Sequence, residues 1–139
     1  MFPFRRLICF WTCLLVAGVA VAAAPVSQDA ALDGVTFKGQ AGEQGKGDHH
    51  EETIRFEGGL FRSPRCEKWG FQPAPYTVKK EGDFYHFAVT LPSSDRGTLE
   101  WKGTITGDAA TATFRWLHKR WYWNIDRNYW FKGTRVTGK

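Results

Sequence analysis

The residues with the most evident chemical potential lie near the C terminus of this 139-residue chain. Residues 115–139 contain seven cations but only one carboxylate, Asp126, and they also contain four tryptophans. Indole rings stack on planar groups and sugar rings, and neighbouring cations neutralise anionic groups. The pattern predicts a surface that binds an anionic lipid or glycan, with the candidate residues Arg115, Lys119, Arg120, Trp121, Trp123 and Arg127.

The same tryptophans have an alternative interpretation as core residues. Large aromatic side chains dominate protein interiors, and long cationic side chains can lie over them with their charges in water. In that case Trp116 and some of Trp121, Trp123 and Trp130 fill the core and one end of the domain. Both interpretations stay open at the level of sequence.

A run of potential metal ligands, Asp-His-His-Glu-Glu, occupies residues 48–52. Adjacent residues of an extended segment point in opposite directions, so only Asp48, His50 and Glu52 can converge. A structural metal site needs four convergent ligands, and no distant fourth ligand is evident. We therefore expect a solvated loop here, and no metal or cofactor.

Catalytic constellations are incomplete in this sequence. Nucleophilic catalysis requires a serine or cysteine that meets a base in space, and the chain offers four histidines, His49, His50, His86 and His118. The segment around Cys66 has no recognised nucleophile signature. We therefore predict a protein that is not an enzyme.

The N-terminal residues predict export from the cytoplasm. Two arginines precede an apolar run over residues 7–21, and small residues follow at 22–24. These are the three parts of a secretory signal peptide, and the small residues favour cleavage over a permanent anchor. We predict a signal peptide over 1–23, a flexible segment over 24–33 and a periplasmic or extracellular location, without a stable membrane span and without nucleic acid as a partner.

Cleavage would leave one domain, over residues 34–139, with Cys66 as its sole cysteine. A lone cysteine cannot form an internal disulfide, so the domain must rest on its apolar core. We expect Cys66 to be buried, as free cysteines usually are, and the protein to be a monomer. Loss of Arg5 and Arg6 lowers the formal net charge from +5 to +3.

Apolar and polar residues alternate in short runs from Val35 to Val136, and glycine-rich turns separate these runs. Helical spacing is absent, and the segments 40–50, 63–75 and 119–128 have no regular pattern. We predict an all-β fold, an antiparallel up-and-down meander of about eight strands. Closure into a barrel would remove the two exposed edges of such a sheet.

This strand pattern resembles the small secreted barrels of the lipocalin-like (calycin) type. Such families start their first strand with a glycine that an aromatic residue soon follows, and they carry a cation after the last strand. Gly34 with Phe37, and Arg135, would take those places, although Phe37 lies one residue beyond the usual Gly-x-Trp spacing. The resemblance implies an interior that can hold a small apolar ligand.

Taken together, these inferences predict an exported, non-enzymatic β-barrel that binds a small apolar or amphipathic ligand or an anionic envelope component. The inward-facing candidates for the ligand site are Tyr85, Phe87, Trp101, Phe114 and Trp116, with Arg135 closing one end. The alternative is a protein-interaction module, such as an inhibitor of a secreted hydrolase. A basic target such as lysozyme would need acids on its inhibitor, and the C-terminal region has the opposite charge.

Overall fold

Strands account for most of residues 32–137, which are the residues that the computed structural model describes. In chain order the strands are β1 (Val35–Glu43), β2 (His49–Glu57), β3 (Leu60–Arg62), β4 (Ala74–Pro75), β5 (Thr77–Glu81), β6 (Phe84–Pro92), β7 (Thr98–Thr106), β8 (Ala109–Lys119) and β9 (Asn124–Arg135). One short helix, α1 (Pro64–Lys68), lies between β3 and β4. Every strand pairing is antiparallel, which confirms the predicted all-β meander, with nine strands where about eight were expected.

Hydrogen bonds between the first and last strands turn the meander into a nearly closed barrel. The strand order is β4-β3-β2-β1-β9-β8-β7-β6-β5. The two edge strands, β4 and β5, are consecutive in the chain and are separated only by Tyr76. Just before β4, Phe71 forms an isolated bridge to Ser93, and the Gln72 N–H donates to the Pro92 carbonyl at 2.8 Å. One stretch of chain therefore contacts both β3 and β6 and almost closes the gap.

The seam between β1 and β9 requires two facing glycines. Gly39 lies opposite Gly133 in the strand register. A Cβ on Gly39 would lie 1.9 Å from the Lys132 carbonyl oxygen, so no larger residue fits without moving the backbone. Strands that curve this tightly need such close approaches, and glycine permits them.

Aromatic rings fill the middle of the barrel. The Trp101 side chain is 0% exposed and stacks on Phe114, with ring centroids 4.0 Å apart. Phe61 lies 5.1 Å from Trp101 on another side, and Phe56 contacts both Phe61 and Phe87 edge to face or nearly so. The alternation in the sequence thus correctly placed Trp101, Phe87 and Phe114 inside. The interior at this level is packed with rings.

Two segments that were expected to be irregular are largely strand. β1 continues to Glu43 and β2 begins at His49, so the turn covers only residues 44–48. Similarly, β8 continues to Lys119 and β9 begins at Asn124. The pairing of β1 with β9 and of β8 with β9 supplies backbone hydrogen bonds that local residue patterns do not reveal.

Helix α1 was also missed by the sequence analysis, which expected irregular chain over 63–75. Ser63 caps its N terminus, since the Ser63 side chain accepts a hydrogen bond from the Cys66 N–H, and a proline occupies the first helical turn. At five residues the helix is too short for an apolar periodicity to show.

The two residues that precede Gly34 and β1 pack against the barrel. Leu32 is fully buried, and the Asp33 carboxylate accepts hydrogen bonds from the Tyr76 hydroxyl at 2.7 Å and from the Gly59 N–H at 3.0 Å. These contacts hold Leu32 and Asp33 against the barrel. The predicted signal peptide and residues 24–31 lie outside the described residues. Within residues 32–137, no helix has the length and apolar character needed to cross a bilayer.

Replacement of Trp101 tests whether the barrel interior is solid. We expect Trp101→Ala to lower the free energy of unfolding by about 3–5 kcal/mol, because it deletes a buried ring and leaves a cavity. Urea unfolding followed by circular dichroism measures the change. The control is Trp121→Ala, whose side chain is 95% exposed and whose loss should cost less than about 0.5 kcal/mol. An equal loss of unfolding free energy in both variants would contradict a packed interior.

Candidate functional site

A cavity of about 210 Å³ opens at the end of the barrel opposite Leu32 and Asp33. This end carries α1 and the turns that follow β1, β6 and β8. Two of the predicted ligand residues, Phe114 and Trp116, line it. Its full lining comprises His50, Glu52, Arg65, Cys66, Trp69, Phe71, Arg96, Leu99, Phe114, Trp116 and Tyr129.

One wall of the cavity is aromatic and rigid. Trp101, Phe114 and Tyr129 are direct neighbours across β7, β8 and β9, and their rings stack in sequence. The Phe114 and Tyr129 centroids are 4.9 Å apart with nearly parallel planes. The Trp116 indole N–H donates to the Arg96 carbonyl at 2.7 Å, which fixes that ring at the rim. Cross-strand register therefore positions the wall, and Trp101 forms the support beneath it.

A buried carboxylate also lines the cavity. Glu52 faces inward from β2 and is only 4% exposed. Its Oε1 accepts hydrogen bonds from the Ser63 hydroxyl at 2.6 Å and from the Thr53 N–H at 3.2 Å, and its Oε2 lies 3.5 Å from His50 Nε2. A buried charge needs such partners, because desolvation would otherwise disfavour it strongly. The expectation of a solvated loop is therefore wrong for Glu52.

Cations surround the cavity mouth. Arg65 on α1 and Arg96 in the turn after β6 both line the cavity. The Arg96 guanidinium lies 5.5 Å from the centroid of the Trp69 ring, a cation–π contact at a partly exposed indole. The mouth thus combines positive charge at the rim with a single carboxylate inside.

Cys66 is buried beside the cavity, as the sequence analysis predicted. Burial raises the pKa of its thiol to about 12, and the nearby Glu52 carboxylate acts in the same direction. Because the thiolate is the nucleophile, a thiol with this pKa is unreactive at neutral pH.

The other predicted ligand residues lie away from the cavity. Trp101 and Phe87 belong to the packed interior, and Tyr85 lies half-buried nearer the opposite end with the Lys80 ammonium 5.6 Å from its ring. Arg135 lies over that opposite end, with its guanidinium 5.9 Å from the Phe37 ring and its Nε 3.6 Å from Asp108. The sequence pattern showed which side chains face the barrel interior, but it did not show which of them line the cavity and which are packed in the core.

Several lining residues were not predicted as ligand residues. His50 and Glu52 looked like loop residues, and Arg65, Trp69 and Arg96 come from irregular or turn segments. The alternation of His50, Glu52, Ile54 and Phe56 along one face was the available signal. Reading β2 as starting at His49 would have placed both polar side chains inside.

The predicted anion-binding surface lies on the hairpin that β8 and β9 form. Arg115 donates two hydrogen bonds to Asp126, at 2.8 and 2.7 Å, and this pairing lowers the pKa of Asp126. Trp121 and Trp123 are exposed at the hairpin end, so the alternative that they fill the core is wrong for these two. Lys119, Arg120 and Arg127 are exposed as well.

Comparison of this chain with known protein families, with curated proteins and with solved structures finds no match. The nearly closed antiparallel barrel is compatible with a calycin-like fold. Within residues 32–137, no group of three His, Cys, Asp or Glu side chains converges in a way that could hold a metal ion.

Thiol labelling tests the environment of Cys66. We expect the folded protein to react at least about a hundredfold more slowly than the unfolded protein at neutral pH, because a pKa raised to about 12 leaves very little thiolate. The native rate should keep rising above pH 9, whereas a free cysteine with a pKa of about 8.5 levels off there. Fast native labelling at neutral pH would contradict the buried, protonated thiol.

Proposed function

We propose that this protein is an exported, non-enzymatic binding protein of the calycin type, which holds a small amphipathic ligand in the cavity at the open end of its barrel. The observation that carries the proposal is the composition of the cavity, whose lining combines stacked aromatic rings with the buried Glu52 carboxylate. Binding sites for small molecules typically combine an apolar lining with a few fixed polar groups.

The size of the cavity limits the ligand to about one ring. A cavity of roughly 150 Å³ is enough for benzene, so 210 Å³ accommodates a single ring with a short substituent. A long acyl chain does not fit, because Phe114 and Trp101 fill the barrel beneath the cavity. The aromatic wall favours a flat ring, which can stack on it.

The polar side of the cavity favours a ligand with a hydrogen-bond donor. The Glu52 carboxylate is an acceptor, and an amino or hydroxyl group on the ligand could donate to it. The rim arginines Arg65 and Arg96 lie farther out, where they can contact an anionic substituent or solvent. A compact amine or phenol thus matches the site better than the purely apolar ligand that the sequence also allowed.

The available nucleophiles support a binding role. The Cys66 thiol is protonated at neutral pH, because its pKa is raised. The Ser63 hydroxyl donates to Glu52 and accepts the Cys66 N–H, so the N-cap of α1 uses both of its hydrogen-bonding capacities. Ser63 is also fully buried and is not among the residues that line the cavity, so its oxygen does not meet a bound molecule.

Thermal shifts with small ring compounds test this function. We expect benzylamine, tyramine or phenol to raise the melting temperature, since a ligand that binds only the folded state stabilises it. Trp116→Ala should reduce that rise at least about threefold, because it removes a ring from the cavity wall. The matched control is Trp121→Ala, which removes an exposed ring and should leave the rise unchanged.

A conservative change at the carboxylate separates the ligand classes. Glu52→Gln keeps the side-chain shape and removes its charge, so the rise with benzylamine should fall more than the rise with phenol. The absence of a shift with every single-ring compound would contradict the proposal. The alternative function, that of a protein-interaction module, would then be favoured.

A further inference from the structure

The hairpin formed by β8 and β9 extends beyond its neighbours at the end where the cavity opens. The last pairing of β7 with β8 joins Thr98 to Leu117, and the first pairing of β1 with β9 joins Glu43 to Tyr129. Residues 118–125 therefore form a two-stranded ribbon without a flanking strand. At about 3.4 Å per residue, the ribbon places its tip on the order of 10 Å beyond the rim.

The tip of this ribbon, Trp121–Trp123, presents three consecutive aromatic side chains to solvent. Trp121 is 95% exposed, Tyr122 54% and Trp123 47%. Successive rings contact one another, with centroid separations of 5.0 and 5.9 Å. Indole and phenol rings prefer the interface between lipid headgroups and acyl chains, where the ring is partly dehydrated and its polar atom stays hydrated.

The charge around the aromatic tip is positive. The Arg120 guanidinium lies 5.3 Å from the Trp123 ring and donates to the Tyr122 hydroxyl at 3.0 Å. Lys119 precedes it, and among residues 118–127 the one carboxylate, Asp126, is paired with Arg115. The tip thus combines apolar surface with unbalanced cations, and an anionic bilayer complements both features.

A second cation–aromatic pair lies at the same end of the barrel. Arg96 and the partly exposed Trp69 form it at the rim of the cavity. The turns at the cavity end carry Lys46, Arg96 and Arg120 against Asp48 and Asp95, whereas the turns at the opposite end carry only the carboxylates Asp83 and Asp108. The turns at the two ends therefore differ in net charge, and the cavity end exposes more aromatic surface.

We propose that the aromatic tip inserts into the headgroup region of an anionic lipid bilayer and so holds the open end of the barrel towards that surface. This inference goes beyond the proposed function, because docking requires only the ribbon and would persist if the cavity bound nothing. Where both hold, the cavity exchanges its ligand with the lipid surface. A bilayer is favoured over a protein or glycan partner because it offers apolar depth and negative charge together.

Vesicle co-sedimentation tests the docking. Protein in its native processed form is mixed with vesicles of phosphatidylcholine alone or with added phosphatidylglycerol. We expect binding only to the anionic vesicles, and we expect salt to weaken it. Replacing Trp121, Tyr122 and Trp123 together by alanine should weaken binding on the order of tenfold or more. Removing one cation by Arg120→Gln should weaken it about fivefold.

Two control variants change an aromatic residue and a lysine of the same barrel away from the aromatic tip. Phe84→Ala removes an aromatic side chain of equal exposure to Trp123 at the opposite end, and Lys102→Gln removes a lysine from the outer wall. Both variants should bind anionic vesicles like the unchanged protein. Every variant has the same N-terminal residues, so any contribution from them cancels.

Several outcomes would overturn the proposal. They are equal binding to both kinds of vesicle, undiminished binding by the triple alanine variant, and an equal loss in the Phe84→Ala control. If the triple alanine variant lost binding to an anionic polysaccharide but kept its binding to vesicles, the partner of the tip would be a glycan instead. Trp116→Ala separates the two proposals, because it should reduce the thermal shift with ring compounds at least about threefold and leave vesicle binding intact.

Discussion

The packing of Trp101 is the constraint on which the rest of the structure depends. Its ring lies between Phe61 and Phe114, and the register of β7, β8 and β9 continues the stack to Tyr129. This stack fills the middle of the barrel, and the cavity of about 210 Å³ lies above it, towards the end that carries α1. The cavity is small because the rings below it are large. A calycin-like barrel with smaller residues at these positions would have room for a longer ligand.

Glu52 is a charged residue buried in this interior, and it couples the cavity to the helix. Its carboxylate accepts a hydrogen bond from Ser63, and the same Ser63 oxygen caps α1 by accepting the Cys66 N–H. One short chain of hydrogen bonds thus joins β2, the start of α1 and the buried thiol. Removing either partner would leave a buried polar group unpaired, which costs about 1–3 kcal/mol. The polar side of the cavity is therefore as fixed as the aromatic wall.

Much of the fold could be predicted from the sequence, because alternation with a period of two is a local property. It placed Trp101, Phe114 and Trp116 inside and Thr111, Thr113 and Arg115 outside. The division of the interior into packed and open parts could not be predicted, because it depends on rings from non-adjacent strands such as Phe61 and Tyr129. The burial of Glu52 could not be predicted, because a charged residue usually lies on the solvent-exposed surface. Helix α1 could not be predicted, because a single capped turn has no periodicity.

The binding role of the cavity can be tested most directly by nuclear magnetic resonance of the tryptophan indole groups during titration with benzylamine. We predict that the Trp116 Nε1–H signal, whose proton is hydrogen-bonded to the Arg96 carbonyl, shifts as the cavity fills. The signal of Trp121, exposed at the distant ribbon tip, should stay in place. Movement of the Trp121 signal alone, or no movement at saturating benzylamine, would contradict the claim that the cavity above Trp101 binds a single-ring ligand.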